Sequence, residues 1–178
     1  MKPAITDVLQ PPEFREELPE KGGWERVERE LGTKLPTDYK TFIQTYGTGS
    51  ISNFMMILNP FSKNRYVNLL TRAEMVLEGY RNSRESAPEY FKDNVYPEEH
   101  GILPFGSTDN GDVLYWRTIG HPDHWPVTVY RGRGSDQFDY NGTMSEFLVD
   151  ILTIGIVSPT LSTVFAELEP TFTAEHIP

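Results

Sequence analysis

The chain has 178 residues, with 16 basic and 26 acidic side chains and a formal net charge of −10. One ordinary domain is expected at this length, and 10 Phe, 9 Tyr and 3 Trp exclude a disordered tail. The charge sign excludes binding driven by phosphate neutralisation, and the absence of cysteine excludes disulfides, thiolate catalysis and Cys-ligated zinc.

In chain order, residues 1–22 are rich in proline and charge and are expected to form an irregular arm. Trp24, Val27 and Leu31 share one face of a short helix that Gly32 ends as a left-handed cap. Pro36 opens a second helix, with Asp38 complementing its dipole, Tyr39, Phe42, Ile43 and Tyr46 on the apolar face, and Gly47 as the stop. A strand is expected over Ile51–Leu58. Thr71 and Glu74 have the spacing of a capping box, predicting a helix from Arg72 to about Ser83 that buries Met75, Val76 and Tyr80. Residues 84–100 read as a loop or a frayed helix.

The second half changes to short β-prone runs at Ile102–Phe105, Asp112–Arg117, Val127–Arg131 and Gln137–Tyr140. Asn110-Gly111 predicts a type I′ hairpin turn, and Gly132-Arg133-Gly134-Ser135 a second tight connection. Thr143 and Glu146 form another capping box before a helix carrying Phe147, Leu148, Ile151 and Leu152. Ser158-Pro159 starts a last helix with Leu161, Val164, Phe165 and Leu168 on its face. Helices, then strands, then helices imply an α+β fold with a mostly antiparallel sheet. The division expected is an arm over 1–22, a domain over 23–157, and a helical extension over 158–178 packing on that domain.

Chemistry-bearing motifs are sparse. His121-Pro122-Asp123-His124 is the densest group of potential ligands, but its prolines favour a loop and no third ligand is marked. Asp109-Asn110-Gly111-Asp112 begins like a calcium loop and lacks the distal glutamate, so a turn capped by Asp112 explains it. No phosphate loop, Gly-x-Ser-x-Gly elbow or cysteine nucleophile is present. The expectation is a non-enzymatic chain without metal or cofactor. Met1–Gln10 has no apolar signal core, and the longest apolar run, Phe54–Leu58, is too short to span a membrane, so a cytoplasmic location is expected.

Charge is unevenly distributed. Residues 1–60 carry 7 basic and 9 acidic side chains, and residues 61–178 carry 9 and 17. No Lys or Arg follows Arg133, whereas Asp136, Asp139, Glu146, Asp150, Glu167, Glu169 and Glu175 do. Glu85, Glu89, Asp93, Glu98 and Glu99 form a second acidic stretch. Solvation of exposed faces accounts for either stretch alone, and steering of a basic partner would use both.

The order of these features resembles the SUKH superfamily, which includes yeast cell-wall-synthesis regulators and bacterial toxin-immunity proteins. The residues that carry the resemblance are Trp24 to Gly32, then Leu35, Pro36, Tyr39, Phe42 and Gly47. They continue with Pro104, Phe105, Gly106, Gly111 and Asp112, then Phe138-Asp139-Tyr140, and end with Phe147 and Leu148. The similarity spans about Trp24 to Ile154. Tyr46 stands where the family commonly has asparagine, and Trp116-Arg117 where an acidic residue often ends the strand. The resemblance implies an α+β fold that binds a protein partner, most concretely a basic toxin domain such as a nuclease. Candidate partner-binding residues are Glu98, Glu99, Asp109, Asp112, Asp123, Asp136 and Asp139, with no direct nucleic-acid or membrane contact. A regulatory or scaffolding module is the second reading, and an enzyme built on His121, Asp123 and His124 the third.

Overall fold

A computed structural model describes residues 2–153 and 169–175. Among them are helices α1 (Ile5–Val8), α2 (Gly23–Leu31), α3 (Thr37–Tyr46), α4 (Leu69–Ser86) and α5 (Met144–Thr153). The strands are β1 (Gly49–Ile51), β2 (Met55–Ile57), β3 (Ile102–Thr108), β4 (Val113–Arg117), β5 (Val127–Tyr130), β6 (Gln137–Tyr140) and β7 (Phe172–Ala174). They form one antiparallel sheet in the order β6-β5-β4-β3-β2-β1-β7. The fold is α+β, as expected.

Several local signals act as the chemistry requires. Gly32 is left-handed (φ 80°) and its N–H donates to the Glu28 carbonyl. Thr143 N–H donates to the Glu146 carboxylate (2.9 Å), closing the capping box ahead of α5. Pro36 precedes α3 in an extended conformation, one position earlier than expected. Asn68, not Thr71, caps α4, accepting from the Leu70 and Thr71 N–H groups. The longer helix buries Leu69, Ala73, Leu77 and Tyr80 and turns Met75 to solvent.

The expected strand over Ile51–Leu58 is a hairpin, because Ser52 (φ 51°) and Asn53 (φ 50°) both take positive φ and reverse the chain. That double positive φ was expected at Asn110-Gly111. There, only Gly111 is positive (φ 84°), and its N–H donates to the Thr108 carbonyl while Thr108 N–H donates to the Asp112 carbonyl. The connection is therefore a three-residue loop with one left-handed glycine. In β3 the register shifts between Pro104 and Gly106, and this bulge accommodates a proline inside an inner strand.

The arm is less irregular than expected. α1 packs on α5, Leu9 is fully buried, and Tyr46 Oη donates to the Leu9 carbonyl (2.6 Å). Gly47 (φ 68°) admits the chain beside it, since a Cβ there would lie 2.4 Å from the Glu16 carbonyl oxygen. At the other terminus Phe172–Ala174 pair with β1 as a strand where a helical extension was expected. The helix expected over Leu161–Leu168 lies outside the described residues.

Alternation along β4 and β5 assigns the two faces of the sheet. Trp116 points to the face covered by α3, meeting Tyr39 edge-on at 5.0 Å and Phe105 at 4.9 Å. Tyr115 points to the opposite face, where Tyr80 of α4 meets both Tyr115 and Tyr130. The turns at 52–54, 109–111 and 132–135 lie at one end of the sheet. Residues 95–101 and 118–126 and the first turns of α3 and α5 lie at the other.

Candidate functional site

The structure separates the expected partner-binding carboxylates. Asp109, Asp112 and Asp136 belong to the turn end of the sheet, and Glu98, Glu99 and Asp123 to the opposite end, with Asp139 on β6 between them. A strand of 7 residues separates the two groups at β3, roughly 20 Å at the rise of an extended chain. They do not converge on one spot.

Asp112 leaves the expected contact surface altogether. It is only 2% exposed, and its carboxylate accepts from the Gly132 N–H (3.0 Å) and the Thr108 hydroxyl (2.8 Å). It joins the β3–β4 and β5–β6 turns, which is the turn-capping role its sequence position suggested. Asp123 is also internally engaged, accepting from the Thr37 N–H at the start of α3 (2.6 Å). That backbone bond holds its carboxyl below the usual range. The Arg84 guanidinium grips Glu98 through two bonds of 2.8 Å, and the Val95 N–H adds a third, so this carboxyl is lowered to about 2. Asp136 pairs with Arg131 (2.9 Å) in the connection to β6. Glu99 and Asp109 are exposed.

On the α4 face, residues distant in sequence form a closed polar network. Arg117 binds both Asp93 oxygens (2.6 and 3.2 Å) and reaches Asp139 (3.0 Å). Asp93 N–H donates to Tyr80 Oη (3.1 Å), the Tyr80 and Tyr130 hydroxyls are 3.0 Å apart, and Tyr130 Oη donates to Asp93 (2.5 Å). Burial, followed by the Asp93 carboxylate, pushes the Tyr130 phenol far upward. Burial disfavours the Arg117 charge, but Asp93 and Asp139 outweigh it and raise its pKa. Every polar partner in this ring is satisfied by another, so it fastens the α4–β3 loop to the sheet.

A cleft opens on the other face. The segment from Lys2 to Thr6 forms one wall, and α3 from Thr37 to Thr45 with the start of α5 forms the other, around a space of about 520 Å³. Ile5, Phe42 and Val149 supply an apolar floor, and Asp38, Asp123 and Glu146 stand among the lining residues. Asp38 accepts from the Tyr39 N–H (2.7 Å) and, across to the other helix, from the Ser145 N–H (2.9 Å). Each helix start is thus capped by a carboxylate of the chain itself. Lys2 closes the segment against the body, donating to Asp150 (2.6 Å) and Tyr140 Oη (2.8 Å).

Of the expected partner-binding carboxylates, only Asp123 lines this cleft. Asp38 was visible as a first-turn acid of α3, but nothing in the sequence marks its bond to Ser145, 107 residues away. The histidines beside Asp123 make no ligand set: His121 Nδ1 accepts from the Asp123 N–H at 3.3 Å. Among the described residues no group of three or more His, Cys, Asp or Glu is placed to hold a metal ion. No helix among them is long and apolar enough to cross a membrane.

Comparison with curated proteins finds no match, and neither does comparison with solved structures. A protein-family model does match, over residues 21–148, from just before α2 into α5. That span holds the two amino-terminal helices, the β3–β4 hairpin, the β6 strand and the start of α5, the same features in the same order. The family is SUKH_6, described as SMI1-KNR4 cell-wall, and this chain belongs to it.

Proposed function

We propose that this chain is a non-enzymatic immunity protein that binds and neutralises a cognate toxin with a basic surface. The carrying observation is the uncompensated acid excess of −10 on a SUKH body, with no Lys or Arg after residue 133. An acidic binder competes for a groove built to hold phosphates, and its field raises the encounter rate. That field acts through the exposed Glu85, Glu89, Glu99 and Asp109, because Glu98, Asp136 and Asp139 are each paired with an arginine. The catalytic alternative has little support, since Asp123 and His121 are engaged with backbone N–H groups.

The test is recovery of a bound partner from the native cell at roughly 50 and 500 mM salt, followed by assay of the partner's toxicity. One salt-sensitive partner whose toxicity the chain suppresses is expected. Changing Glu85, Glu89, Glu99 and Asp109 together to Lys is expected to slow association about tenfold at low salt. An unchanged rate would remove the steering argument. The family description favours a second reading, a regulatory or scaffolding module, which predicts several partners of moderate affinity and no toxin among them.

A further inference from the structure

We propose that the cleft between the amino-terminal segment and helices α3 and α5 docks a cationic amphipathic segment of the protein partner. This rests on the reading of the chain as a protein-binding module and names where binding occurs. The space, about 520 Å³, lies in the range of binding sites and admits side chains rather than a single water.

The chemistry of the walls selects the occupant. Helix starts attract anions when their N–H groups are unsatisfied. Here the chain's own carboxylates already take four of them: Asp38 takes Tyr39 and Ser145, Asp123 takes Thr37, and Glu146 takes Thr143. An anionic ligand would meet three carboxylates and displace one of them. A cation meets the same three with nothing to displace. The lining holds one basic side chain, Lys2, whose ammonium is already bound by Asp150. The floor of Ile5, Phe42 and Val149 suits the aliphatic stem of a lysine or arginine, whose charged head then reaches the acidic rim.

The protein already contains one example of this recognition. Lys2 runs along the rim with its ammonium on Asp150 and Tyr140 Oη, and 5.5 Å from the Tyr140 ring centre. A partner's cationic side chains would extend that pattern inward over α3 and α5.

The experiment titrates the isotope-labelled full chain with a synthetic amphipathic Leu/Lys helical peptide, following backbone amide shifts. The expected result is shifts at Thr6, Thr41, Thr45 and Ser145, weakening with salt, and none with a Leu/Glu peptide of the same pattern. Thr41 is an exposed lining residue, so Thr41→Arg tests the site without touching the core. It is expected to weaken peptide binding about tenfold through like charge and bulk. Equal binding by Thr41→Arg overturns the proposal. Shifts centred on Glu85, Glu89 and Glu99 with the cleft amides unmoved overturn it too, as does no binding at all. A native toxin still bound and inhibited by Thr41→Arg would remove this site and leave the immunity reading intact. Peptide binding in the cleft without any toxin partner would do the reverse.

Discussion

The two faces of β4 and β5 come from the same residues in alternation, yet they end in opposite conditions. On the α4 face Tyr115, Arg117, Thr128 and Tyr130 lie beneath Tyr80 and Asp93, and donor and acceptor close on each other. On the α3 and α5 face Leu114, Trp116, Val127 and Val129 pack against aromatic and aliphatic side chains. The cleft lies beyond that packing, between α3 and α5 and the amino-terminal segment, and no strand residue lines it. A network whose charges are all paired locks a fold and offers little to a partner. The cleft proposed to dock a partner is instead lined by Ile5, Phe42 and Val149 and by carboxylates, Asp38, Asp123 and Glu146, that no cationic side chain neutralises among their hydrogen bonds.

If this contrast is right, the apolar face carries the larger share of stability. Trp116 is fully buried among Tyr39, Phe105 and Trp125, and its indole N–H has no hydrogen-bond partner, so its contribution is packing. Trp116→Ala is expected to lower the unfolding free energy by about 3–5 kcal/mol in denaturant titration. A loss smaller than that of Arg117→Met would reverse the ranking of the faces.

On the polar face, Arg117→Met leaves the Asp93 carboxylate largely buried with Tyr130 as its remaining side-chain donor. A loss of about 2–4 kcal/mol is expected, with part of it recovered by adding Asp93→Asn. Additive losses in that double-mutant cycle would mean that the two residues do not act as a unit. Asp112→Ala strips the partners from the Gly132 N–H and the Thr108 hydroxyl and is expected to cost about 1–3 kcal/mol. Because it is structural, the same variant should leave the rate of partner association unchanged, measured by stopped flow.

The smallest effect concerns Glu98. Arg84 holds its carboxyl at about 2, below the ordinary value. The folded form therefore keeps the charge where the unfolded chain has lost it. This contribution is fully present above the ordinary carboxylate pKa and disappears as pH falls from about 4 towards 2. Solvent reaches the pair, so only about 0.5 kcal/mol is at stake. Glu98→Gln should flatten the stability curve across that interval, and an unchanged slope would show that Glu98 is not its source.

Much of the fold was legible because the signals are local. The Gly32 cap, the Thr143–Glu146 box and the strands β4, β5 and β6 depend on residues a few positions apart, which the chain order states directly. The turn chemistry misled for a related reason. Asn110-Gly111 permits two positive φ angles, but the Thr108–Asp112 hydrogen bonds suit a three-residue loop, and the double positive φ went to Ser52-Asn53. In α4 the Thr71–Glu74 pair had the spacing of a cap, but burial of Leu69 drew the helix start back to Asn68.

The sequence by itself determined the class of the protein: an acidic α+β body without cysteine, with two amino-terminal helices and a β-meander in SUKH order. Periodicity, caps and charge count are properties of neighbours along the chain. Only the tertiary structure decided which carboxylates are available. It buried Asp112 between two turns, tied Asp93 to Arg117, and set Asp38 against Ser145 of another helix. It also decided that Phe172–Ala174 would pair with β1 and that Leu9 would enter the core. Whether a charge is paired depends on its neighbours in space, and burial brings residues together with little regard to their separation in sequence.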